Sequence, residues 1–115
     1  MPKKRSDVEV EVTDITPEGC WLRVRSENHY ISFIDSHVYF LGASAEEIQD
    51  VKLHCGKYLR WEALDVDLEI DNFVYPERYP YIGLSPQQLA RVREAMKTMK
   101  VSERVIRQLK RFDKQ

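Results

Sequence analysis

Val8, Val10 and Val12 alternate with Glu9, Glu11 and Thr13, the period-two pattern of a strand with one buried face. Thr16-Pro17-Glu18-Gly19 supplies turn chemistry: Pro restricts φ early and Gly accepts a left-handed position late. In the strand that follows, Leu22 and Val24 share one face and Arg23 and Arg25 the other. A hairpin with its apolar faces aligned puts Glu9 and Glu11 opposite Arg23 and Arg25, and these charge pairs help set the register. His29–Ile34 reads as a third strand, joined most simply as a meander.

Ser44 followed by Glu46 and Glu47 starts a helix of one or two turns, with acid near the positive end of the dipole. Val51–Cys55 and Tyr58–Glu62 form a second hairpin, with Gly56 at its tight turn. The clearest alternation follows: Leu64, Val66, Leu68 and Ile70 against Asp65, Asp67, Glu69 and Asp71. Its apolar side belongs to a core together with Trp61, Val8, Val10, Val12, Leu22 and Val24. Residues 74–83, with Pro76 and Pro80 among Tyr75, Tyr79 and Tyr81, read as an ordered loop.

Ser85-Pro86-Gln87-Gln88 combines an N-cap Ser, Pro at the first helical position and Gln to close a capping box. Leu89, Val92, Met96 and Met99 then recur at helical spacing. Ser102 caps a second helix, with Val105, Ile106, Leu109 and Phe112 on one side and Arg104, Arg107, Lys110 and Arg111 on the other. The expected fold is α+β: a small, mostly antiparallel sheet of five or six strands, one short helix, and a C-terminal helical pair bent at 100–102. A single kinked helix is the rival reading of that pair.

Charge divides the chain where the helical segment begins. Residues 1–84 hold nine Lys/Arg against sixteen Asp/Glu, and residues 85–115 hold nine against three. An acidic body (1–84) and a basic helical tail (85–115) suit either a polyanion-facing tail or a self-complementary contact between copies. No apolar run reaches the ~20 residues of a membrane span. The basic start Met1-Pro2-Lys3-Lys4-Arg5 leads into Asp7-Val8-Glu9 and not an apolar signal core. A cytoplasmic location is expected, with Cys20 and Cys55 reduced and partly buried.

Trp61-Glu62-Ala63-Leu64-Asp65-Val66-Asp67-Leu68 and Pro76-Glu77-Arg78-Tyr79-Pro80 resemble the closing strand and loop of the small bacterial family catalogued as domain of unknown function 2442. His29-Tyr30-Ile31-Ser32-Phe33 is similar to that family's middle section, and the resemblance covers roughly residues 7–82. Asp35-Ser36-His37-Val38 stands where the family has an aromatic-Pro step. The resemblance implies a β-rich α+β fold, no established activity, and a gene arrangement that looks like a toxin–antitoxin pair. It does not extend to the basic tail.

Candidate chemistry is sparse. Alternate residues of one strand lie ~6.6 Å apart and splay in parallel, so the acidic ladder reads as a solvated face before a hard-cation site. Asp65, beside Trp61 and ahead of the aromatic loop, is the one carboxylate placed to brace Arg78. His29, His37, His54, Cys20 and Cys55 match no zinc spacing. Four glycines leave no room for a phosphate loop, and no Gly-x-Ser-x-Gly elbow is present. An enzyme, a cofactor and a metal are therefore not expected.

The function expected is binding or regulation, antitoxin-like in the manner of the resemblance, through a protein partner or self-assembly. Tyr75, Arg78, Tyr79 and Tyr81 in the loop, and Leu89, Val92, Met96, Leu109 and Phe112 along the helical stripe, are the candidate contacts. The tail also reads as a plain structural element whose helices cover one face of the acidic sheet, their basic residues pairing with its rim. The alternative function is a nucleic-acid-binding regulator that places Arg104, Arg107, Lys110 and Arg111 near phosphates. Its polar face has no Asn or Gln cluster for base readout.

Overall fold

The computed structural model describes residues 9–78 and 83–114. β1 (Val10–Thr16), β2 (Gly19–Val24) and β3 (Glu27–Ser32) form an antiparallel meander in the order β1-β2-β3. Val10 pairs with Val24 and Val12 with Leu22, so the apolar faces align as expected. Glu11 lies opposite Arg23 and forms an ion pair with it. Between Val12 and Asp14 the register shifts, and Thr13 is the extra residue of a bulge. The bulge resets the alternation, so Ile15 joins Val10 and Val12 on the core side.

β4 (Val51–His54), β5 (Tyr58–Trp61) and β6 (Val66–Glu69) form a second antiparallel meander. Here the expectation of one five- or six-stranded sheet is corrected: there are two three-stranded sheets. A buried 3₁₀ turn (Val38–Phe40) and α1 (Ala45–Gln49) separate them, and β1 packs beside β4. Ser44 accepts a hydrogen bond from the Glu47 amide while the Glu47 carboxylate accepts one from the Ser44 amide, which sets the start of α1.

The long alternation through 64–71 yields only four strand residues. Leu64 and Asp65 lie in the turn between β5 and β6, with Asp65 at φ 54. At the other end, Asn72 Oδ1 accepts from the Glu69 amide at 2.9 Å, and α2 (Asp71–Val74) begins. Helix and a 3₁₀ turn (Pro76–Arg78) therefore replace the first half of the expected loop, and Tyr79, Pro80 and Tyr81 lie outside the described residues.

α3 (Pro86–Ala95) starts at the predicted capping box, with Ser85 and Gln88 bonding reciprocally at 2.9 and 3.1 Å. α4 (Glu103–Leu109) starts at Ser102, and 96–102 is not helical, so the tail is a pair of helices. The bend is held by the Ser102 amide, which donates to the Ile34 carbonyl at 2.8 Å.

One core joins both sheets to the tail. Trp61 is fully buried, meets Phe40 edge-on at 4.8 Å, and donates its indole N–H to the Ile48 carbonyl at 2.8 Å. Leu22, Val24, Leu64, Val66 and Leu68 are buried, Val10, Val12 and Ile70 are half-buried around them, and Val8 lies outside the described residues. Val92, Val101, Val105 and Leu109 of the tail are buried in the same cluster. Arg91 donates to the Tyr39 and Leu41 carbonyls, and Gln88 donates to the Leu64 and Asp65 carbonyls at 3.3 and 2.9 Å. Long-range polar contacts thus fix the tail where its apolar stripe packs.

Candidate functional site

Packing the tail inward withdraws two residues, Val92 and Leu109, from the expected partner surface. Val92 and Leu109 are enclosed in the chain's own core and are not free to receive a partner in this fold. Leu89, Met96 and Phe112 are half-buried against that core. Arg107, Lys110 and Arg111 remain exposed, while Arg104 is half-buried and close enough to act electrostatically on His37. In the loop, Arg78 lies over the exposed Tyr75 ring at 4.1 Å, a cation–π contact. Tyr79 and Tyr81 lie outside the described residues.

Asp65 does not brace Arg78. Arg60 instead gathers Glu62 at 3.1 Å, Asp65 at 3.0 Å and Asp67 at 2.8 Å. Pairing with Arg60 holds the Glu62 carboxyl below its usual range. The register explains this, because Arg60 sits directly opposite Asp67 across β5 and β6. Two rungs of the acidic ladder therefore converge on a guanidinium of the same sheet.

The titratable groups of the interior serve the fold. Burial pulls the His37 imidazole down to about 4, against the opposing effect of its bond to the Asn72 backbone. Ser36 Oγ lies 2.8 Å from His37 Nδ1 and also donates to the Ser32 carbonyl, so the pair is tied into the turn. The ring is packed between Tyr39 and Phe73 at 6.4 and 5.7 Å. A nucleophilic Ser–His pair needs an accessible, basic imidazole, and this one is buried and neutral. Burial pushes the Cys20 thiol up to about 12, which keeps it protonated and unreactive. Among the described residues, no group of three or more His, Cys, Asp and Glu is placed to hold a metal. Among them, too, no helix is long and apolar enough to cross a membrane.

The open feature is the outer face of the β1–β3 sheet, which no sequence expectation included. Trp21 and Tyr30 are directly paired across β2 and β3, each 45% exposed, with ring centroids 5.3 Å apart. Asp14 faces Trp21 on the other side, across β1 and β2. The next row is Glu11–Arg23–Asn28. Gly19 completes the face. Its absent side chain gives Tyr30 a seat, since a Cβ there would lie 2.6 Å from the ring and 2.6 Å from the Ile31 carbonyl oxygen. The signal for this site was present in the alternation: Trp21 falls in phase with Arg23, on the polar side of its strand, where an indole has no core to enter.

An apolar cavity of about 350 Å³ beside Ile15, Phe33, Ile48 and Met99 opens next to a groove lined by Pro17, Ile34 and Val101. It carries no converging polar groups of the kind that orient a small ligand. Compared with family models, curated proteins and solved structures, the chain matches none.

Proposed function

We propose that this chain is a non-enzymatic binding protein that acts by holding another protein chain against the outer face of its β1–β3 sheet. The observation that carries this reading is the Trp21–Tyr30 pair on the outer strand face, each ring 45% exposed. Trp, Tyr and Arg are the residues that dominate protein interfaces, because they bury large area at small cost in conformational entropy. Arg23 stands beside the pair, already aligned by Glu11. The resemblance of 61–68 and 76–80 to the domain of unknown function 2442 supports a regulatory role of the antitoxin-like kind, exerted by sequestration.

A photo-crosslinking residue in place of Trp21, in the full chain in its native host, tests the reading. Covalent capture of a protein chain from that position, absent when the same residue replaces the exposed Glu46, is the expected result. Capture of nucleic acid alone, or of nothing, contradicts it.

A second reading rests on the exposure of Arg107, Lys110 and Arg111 along one side of the tail. Phosphate contacts there give duplex binding whose log–log salt slope changes by about 0.9 per contact. A slope near zero rejects nucleic acid as the ligand.

A further inference from the structure

Resting on that reading, we infer that the partner is a second copy of this chain, whose Arg107 enters the Asp14–Trp21–Tyr30 row. The row is a carboxylate, an indole and a phenol side by side on one sheet face, in register across three strands. A guanidinium packs over an aromatic face, as Arg78 does over the Tyr75 ring at 4.1 Å, and its N–H groups can reach a neighbouring carboxylate. The row is therefore suited to an arginine and poorly suited to an anion.

The chain itself supplies the matching element. Arg107, Lys110 and Arg111 are three and four residues apart, so they project from one side of α4 and its 3₁₀ extension. All three are exposed, while Val105 and Leu109 anchor the opposite side in the core. A helix ~10–12 Å wide matches the ~10 Å between the outer strands of a three-stranded sheet. Charge points the same way: residues 1–84 carry seven more acidic than basic side chains, and residues 85–115 carry six more basic than acidic ones. Every copy thus presents both an acidic, aromatic socket and a basic key.

Because socket and key are different surfaces, the contact is head-to-tail, and it builds open chains or rings, not a closed symmetric pair. One short helix on one small sheet covers less than a standard interface, so association is weak and strongly screened by salt.

Sedimentation velocity of the full chain tests this with two exposed-site variants, Asp14→Ala in the socket and Arg107→Glu in the key. The wild type shows a rising weight-average mass with concentration at low salt, lost at high salt. Each variant alone, with an unchanged melting temperature, associates at least tenfold more weakly. An equimolar mixture of the two regains association but stops at a 1:1 dimer, because one intact socket and one intact key remain. A wild type that stays monomeric at low salt overturns the inference. So does a mixture that stays monomeric while the wild type associates. If the Trp21 crosslinker captures a different protein and the wild type is monomeric, the second copy is wrong and the binding reading stands.

Discussion

Replacing Val92 by alanine separates a tail built into the core from a tail appended to it. Val92 has no exposed surface and lies in the cluster that contains Trp61 and Leu22. The substitution removes two methyl-sized groups, worth ~1.6 kcal/mol in transfer free energy, and the cavity left behind raises the loss to ~2–3 kcal/mol. The chain has 115 residues. At ~2.1 cal/mol/K of unfolding entropy per residue, that loss lowers the melting temperature by roughly 8–12 °C. Arg107→Ala on the exposed side of α4 is the matched control, and surface changes of that kind stay within about 0.5 kcal/mol. Calorimetry of both variants at micromolar concentration and high salt, where assembly is suppressed, gives the comparison. A Val92→Ala protein that melts within two degrees of wild type refutes the packing argument, and with it the claim that the stripe is consumed inside the chain.

Acid should weaken the fold through His37. The unfolded imidazole takes up a proton near 6.5 and the buried one resists until about 4. The stability held by the neutral ring is fully present above 6.5 and is lost as pH falls from there toward 4. The loss amounts to ~3 kcal/mol from the linkage between protons and folding. Urea titrations of wild type and His37→Gln should therefore converge across that window, since only the wild type carries this term, and parallel curves would contradict it. Gly19→Ala should destabilise the β1–β3 sheet, because the added methyl meets the Ile31 backbone carbonyl as well as the movable Tyr30 ring. Thermal unfolding checks it, and an unchanged midpoint would mean that Tyr30 does not sit on Gly19.

Much of the local structure was legible because local chemistry decides it. The alternation around Leu22 and Val24, the helix start at Ser44 and the capping box at Ser85 follow from spacing within a few residues, and the Glu11–Arg23 pair follows from the short hairpin between them. What was not legible depends on distant parts of the chain. The partition into two sheets is a long-range choice, and no residue in β3 or β4 announces that the two strands do not pair. The Thr13 bulge leaves no mark in the alternation of Val10 and Val12 that precedes it. The acidic ladder continues to Asp71 in sequence, yet the strand stops because Asn72 takes the Glu69 amide. Helical periodicity marked Val92 and Leu109 as parts of an apolar stripe, but periodicity is silent on whether the surface opposite belongs to the same molecule. The Trp21–Tyr30 pair was missed for a related reason: only the register between β2 and β3 brings the two rings together.

The most direct measurement uses the two tryptophans as opposite reporters in fluorine NMR of 5-fluorotryptophan-labelled protein. Trp21 is 45% exposed on the proposed contact face, and Trp61 is sealed in the core. As concentration is raised at low salt, the Trp21 resonance should shift and broaden, and it should return when salt is added, while Trp61 stays fixed throughout. A Trp21 resonance that does not move across the whole range, or a shift confined to Trp61, contradicts the claim that a second copy of the chain binds this sheet face.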